Sequence, residues 1–158
     1  MATRSDQDRF TGFVQGAQPR LLVALTAAYG PEVGHEATAE ALSYGWRHWD
    51  RVVEMENPVG FLFRVGQSRA RRYFTWWNRR PCPPIEPGGG NPEPWIEPGL
   101  PQALGRLTRR QRVAVVLVTG FGWTQGEVAD LLGVSRTTVQ QHLSRGLATL
   151  RKELKVAT

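Results

Sequence analysis

The chain has 158 residues, 41% of them apolar, which is enough to bury real cores and excludes an intrinsically disordered polymer. Twenty Lys and Arg face 14 Asp and Glu, a formal +6 carried mostly by Arg, so polyanions are the natural partners. A single cysteine, Cys82, excludes an internal disulfide, and His35, His48 and His142 have neither ligand nor triad spacing, so no metal, cofactor or enzymatic chemistry is expected. The N-terminus lacks a signal-peptide core and no stretch reaches the about 18 apolar residues of a membrane span, which predicts a cytoplasmic protein with no membrane partner.

In chain order, the first predicted helix carries Phe10, Phe13, Val14, Ala17, Leu21, Leu22, Leu25 and Tyr29 at three- and four-residue steps. A bend is expected at Pro19 and a stop at Gly30-Pro31. A second helix starts with Pro31 as its first residue and runs to about Trp49. A third starts at Asn57-Pro58, an N-cap followed by proline at the first helical position, and stops before Pro81. Trp46 and Trp49, three apart on one helix, read as core.

Residues 81 to 101 are so rich in proline and glycine that neither helix nor central strand is expected there. The charge divides with the composition. Residues 1–80 hold 11 basic against 8 acidic side chains, 81–100 none against 3, and 101–158 9 against 3, so two basic lobes flank an acidic strap. Proline-rich chain keeps about 3.1 Å per residue, long enough for the lobes to sit well apart.

In the second lobe Thr108-Arg-Arg-Gln111 and Thr124-Gln-Gly-Glu127 are capping boxes, each marking a helix start. Thr124 to Leu150 has the spacing of a helix-turn-helix, with Ala129 at the close approach, Gly133 at the turn and Val134 plugging the core. The second of its helices gathers Ser135, Arg136, Thr137, Thr138, Gln140, Gln141 and Arg145 on the side opposite an apolar stripe. Arg pairs with guanine and Gln with adenine, and hydroxyls at a helix start hold phosphate, so these seven are candidate DNA contacts. A second basic patch lies in the first lobe, where Arg64, Arg69, Arg71 and Arg72 run into Tyr73, Phe74, Trp76 and Trp77 with no acid from 64 to 80. Interleaved cations and rings suit single-stranded nucleic acid, whose phosphates pair with Arg while unstacked bases lie on rings.

Taken in order and spacing, these motifs resemble a bacterial RNA polymerase sigma factor of the extracytoplasmic-function class. In the second lobe the likeness rests on Leu104-Gly-Arg-Leu107-Thr-Arg-Arg-Gln111-Arg112, Gly126 to Ser135, Thr138-Val139 and Leu143-Ser-Arg-Gly-Leu147. In the first it rests on Trp46-Arg47-His48-Trp49-Asp50-Arg51-Val52 and Asn57 to Val65. The resemblance implies an all-α fold of two small helical domains: a region 2-like domain over 1–80, a Pro/Gly-rich linker over 81–100 and a region 4-like helix-turn-helix domain over 101–158. It implies promoter DNA and core RNA polymerase as partners, with an anti-sigma or co-regulator protein beside them. The first domain would read the minus-10 element, the second the minus-35 element, and Glu36, Glu40 and Arg47 would face the polymerase.

Two places depart from the family. Where it usually has Asp-Leu-x-Gln-Glu, this chain has Glu36-Ala37-Thr38-Ala39-Glu40, keeping the acids without the Leu and Gln; where it has Asn and Asp in the strand-opening helix, Ser68 and Arg72 stand. The alternative is therefore a sigma-like helix-turn-helix regulator that binds DNA without initiating transcription by itself.

Overall fold

A computed structural model describes residues 3–77 and 99–155, with side chains described for 3–72 and 99–155. Every regular element among them is helical: α1 (Arg4–Tyr29), α2 (Pro31–Arg47), α3 (Trp49–Val52), α4 (Pro58–Trp77), α5 (Leu100–Gly105), α6 (Arg109–Val115) with a π-helical turn at Val116–Gly120, α7 (Gln125–Leu132) and α8 (Arg136–Lys155).

Local chemistry accounts for most of these boundaries. Thr3 and Asp6 cap one another at the start of α1, a reciprocal box upstream of the periodic stretch that predicted this helix. Hydrogen bonds from the Thr3 side chain and backbone hold the Asp6 carboxyl below the usual carboxylate range. The helix continues through the expected bend at Pro19, an exposed position whose missing amide leaves a carbonyl to solvent. Asn57 caps α4 by accepting from the Gly60 amide at 3.0 Å. Thr108 and Thr124 form the two predicted capping boxes at α6 and α7. One expectation is corrected: the region without helix does not extend to 101, because α5 begins at Leu100 with Pro101 in its first turn, where a missing amide costs nothing.

In the first half, α1, α2 and α4 pack on Leu21, Ala24, Leu25, Ala37, Ala41, Leu62 and Phe63, all 0% exposed. α1 and α2 approach so closely that a Cβ at Gly34 would lie 2.7 Å from backbone atoms of Thr26. Phe10, Phe13, Trp46 and Trp49 form an aromatic group with ring centroids 5.1 to 6.3 Å apart, in which Trp49 is buried as expected and Trp46 is half-buried. The helix expected to run to about Trp49 ends at Arg47, and His48 separates it from α3.

The two halves do not stand apart. One apolar cluster runs from Leu21, Leu25, Ala28 and Phe63 into Val113, Ala114, Leu117, Val128, Leu131 and Val139 of the second half. A smaller cluster of Ala103, Leu107, Val115 and Leu150 joins α5, α6 and α8. Polar links reinforce the junction. Arg20 forms an ion pair with Glu127 and lies 4.6 Å over the Trp123 ring; Asn57 Nδ2 donates to the Asp130 carbonyl at 2.8 Å; Arg109 lies 4.9 Å over the Tyr29 ring.

The most buried of these links is Arg112. The Gly30 amide satisfies the Thr26 carbonyl. The amide that would continue the ladder to Ala27 belongs to Pro31, which has none. Arg112 donates there instead, Nε to Ala27 O at 2.6 Å and Nη2 to Ala28 O at 2.7 Å. Burial, with the nearby charge of Arg109, presses its guanidinium below the ordinary arginine pKa. Arg112→Ala is expected to lower unfolding stability by about 3 kcal/mol, since charge-assisted bonds to buried carbonyls contribute about 1.5–3 kcal/mol each. Arg112→Lys should recover little, because an ammonium cannot reach both carbonyls in the plane of a fork. Urea unfolding of the three proteins measures both.

Candidate nucleic-acid interface

The second half presents a helix-turn-helix. Gly133 ends α7 at φ 68°, a left-handed conformation that glycine adopts without strain, and the Val134 amide returns to the Ala129 carbonyl at 3.1 Å. Val134 packs on the main cluster, and Ser135 caps α8 by accepting from the Thr138 amide at 3.1 Å. Val139, Gly146 and Leu150 are buried, which fixes the rotation of α8. A Cβ at Gly146 would meet Val115 Cγ2 at 2.7 Å, so α6 and α8 touch there nearly backbone to side chain.

That rotation leaves Ser135, Arg136, Thr137, Gln140, Gln141 and Arg145 exposed together. Thr138 is half-buried, with its hydroxyl 2.9 Å from the Ser135 hydroxyl, so this candidate serves the cap. The only acid on α8 is Glu153, near its far end and paired with Arg106 at 3.4 Å. The outward face is thus cationic and amide-bearing, with hydroxyls at a helix start. His142 adjoins it. Its Nε2 is shut from solvent without a hydrogen-bond partner. Burial, then the charges of Arg110 and Arg145, hold the imidazole below its usual pKa and keep it neutral near pH 7.

In the first half Arg64, Arg71 and Arg72 are exposed on α4. Arg64 and Arg71, two turns apart, share one side of the helix. Arg64 reaches the helix-turn-helix itself: its Nη1 stands 3.1 Å from where a Cβ on Gly133 would be. Arg69 turns the other way and pairs with Glu40 at 3.8 Å, bringing together one residue expected at DNA and one expected at polymerase. Glu36 and Arg47 are exposed on α2, Arg47 in its last turn, where a cation suits the helix dipole. Tyr73, Phe74, Trp76 and Trp77 fall in the last turn of α4, and their side chains lie outside the described residues, as do Cys82 and most of the 81–100 segment.

Sequence reasoning missed Arg20, Asn57 and Arg112 as links between the halves. Arg20, Asn57, Val59, Trp123, Glu127, Asp130 and Leu131 line a crevice of about 100 Å³ at that junction. No local pattern announces such pairs, whose members are 73 to 107 residues apart in sequence.

Among the described residues no helix is long and apolar enough to cross a membrane. The family described as Sigma-70, region 4 matches residues 99–150. No curated protein matches the chain. Among solved structures, the sigma factor RpoE from Bartonella quintana, in complex with the anti-sigma factor NepR, superposes with a TM-score of 0.70 at 18% identity, over 95% of this chain and 99% of that one. CnrH, in complex with the cytosolic domain of CnrY, superposes with a TM-score of 0.62 at 20% identity, over 96% and 91%. Residues 99–150 therefore match the sigma-70 region 4 family, and the chain shares the fold of the sigma factors that its motifs resemble.

Proposed function

We propose that the chain is a promoter-specificity subunit that brings core RNA polymerase to DNA and starts transcription there. The observation that carries this reading is the acid-free outer face of α8 in a region 4 domain, with Arg136, Thr137, Gln140, Gln141 and Arg145 exposed together. In this reading α8 enters the major groove of the minus-35 element, with Arg and Gln reading base edges and the Ser135 cap and Lys152 holding phosphates. Residues 1–80 form the polymerase-binding and minus-10 domain, 101–158 the minus-35 domain, and 81–100 the linker. Arg64, Arg71, Arg72 and the rings of Tyr73, Phe74, Trp76 and Trp77 meet the opened strand; Glu36, Glu40 and Arg47 meet polymerase. An anti-sigma protein, like the NepR bound to the similar RpoE, is the partner class that would control the chain.

A second reading, a DNA-binding regulator that no longer initiates by itself, is favoured by one observation: Glu40, one of two acids kept in the eroded docking segment, is already paired with Arg69. Capture on core polymerase separates the two. Retention of wild-type protein and its loss in Glu36→Lys support the initiation factor, whereas DNA binding without any retention on polymerase gives the regulator.

Arg136→Ala or Gln140→Ala is expected to relax base preference at one position, at a cost of about 1–3 kcal/mol, and Lys152→Ala to weaken all sequences alike. Selection from random duplexes reads the difference, and an unchanged preference in both recognition-helix variants would move base reading away from α8. DNA binding should also be linked to protons. Burial is the larger cause of the depressed His142 pKa and persists, but phosphates approaching Arg110 and Arg145 offset the part due to their charges, so the pKa rises on binding and a proton is taken up. Affinity should therefore gain as pH falls from 7 toward 5.5 in the wild type, and the gain should be smaller in His142→Gln, measured by fluorescence anisotropy.

A further inference from the structure

Gly126 sits in the first turn of α7, one residue before the Glu127 that completes the capping box. A glycine there has no backbone justification: its φ is not positive, and helix propensity favours almost any other residue at such a position. What its missing side chain provides is space for one group. A Cβ at Gly126 would stand 3.0 Å from Arg136 Nη2, 3.1 Å from Nε and 3.3 Å from Cζ, and these are its three nearest neighbours. The Arg136 guanidinium is therefore laid along the first turn of α7, across the turn of the helix-turn-helix.

Charge does not explain that placement. Arg136 begins α8, whose first turn has no acid, and it leans on the start of α7, so both helix ends nearest it carry positive partial charge. The carboxylate of Glu127 is engaged by Arg20 and by the Thr124 cap. The fit is one of shape, with a flat cation on a surface that only a glycine leaves flat.

We propose that Gly126 is a positioning residue for DNA reading: it sets the direction in which Arg136 leaves α8 and so contributes to base preference without touching DNA. This rests on the reading of α8 as the recognition helix. A long arginine side chain has many rotamers, and holding it in one before binding removes an ordering cost and fixes which base edge its fork meets. An added methyl at 126 displaces the far end of a flexible side chain, so it alters reading more than folding.

The test is a double-mutant cycle in the full chain, with duplexes selected from a random pool and dissociation constants then measured for the preferred base and its three replacements. Gly126→Ala should reduce discrimination at the Arg136 position about three- to tenfold, with a melting temperature equal to or above wild type. In an Arg136→Ala background the same change should have no further effect. If Arg136→Ala relaxes one position and Gly126→Ala leaves it intact, the positioning role is overturned while the recognition helix stands. If Gly126→Ala acts equally in the Arg136→Ala background, it works through the helix rather than the guanidinium and the inference fails. If Arg136→Ala changes no preference, the reading of Arg136 as a base contact fails, and the inference with it.

Discussion

The arrangement of the two halves depends on a helix end that cannot complete its own hydrogen bonds. Gly30-Pro31 stops α1 sharply and strips it of the amide that would have reached Ala27, and α1 has no basic residue in its last turn to compensate. Arg112, 85 residues further along, donates to Ala27 and Ala28. The same guanidinium points Nη1 toward the carbonyls of Leu104 and Leu107, at 3.4 and 3.5 Å, where α5 gives way to α6. One planar cation therefore ties the end of α1 to the corner that opens the helix-turn-helix half. Leu25, Ala28, Val113 and Leu117 belong to the apolar cluster that the two halves share, which joins the same elements beside these bonds.

From that anchor the outward polar face of α8 follows by packing. α6 is held against α1, and α8 against α6 through Gly146, so the rotation of α8 is set by buried residues and not by its polar ones. α7 is held from the opposite side by α4, through the Asn57 bond and the apolar contact of Leu131 with the main cluster. The outward polar face of α8 is thus presented by a frame to which both halves contribute, including the half that carries its own basic patch.

Features governed by neighbours three or four residues away were legible in the sequence. The Thr108 and Thr124 boxes, the Asn57 cap with Pro58, the Gly133 turn and the outward set on α8 each follow from a rule with a fixed short spacing. The Thr3–Asp6 box obeys the same rule and escaped because the apolar period that draws attention to α1 starts later, at Phe10. Pro101 misled for a physical reason: proline breaks a helix from inside and tolerates its first turn, and a run of prolines does not say which case holds. The π turn at Val116–Gly120 overlaps the end of an apolar run from Val113 to Val118, where Val113, Val116 and Leu117 mark a helical face without distinguishing an α from a π turn. The interlocking of the halves was invisible, because Arg20, Asn57 and Arg112 look like ordinary surface polar residues until the chain is folded.

Leu143 packs against both apolar clusters, the one shared between the halves and the one formed by α5, α6 and α8. It lies midway between Gln140 and Gly146, beneath the outward polar face. A single side chain thus meshes like a gear tooth with two interiors at once. Interiors packed as densely as crystals have little slack, so a change of volume in either one is passed to α8 through this side chain, and in the proposed reading base preference depends on that packing as well as on the outward polar groups.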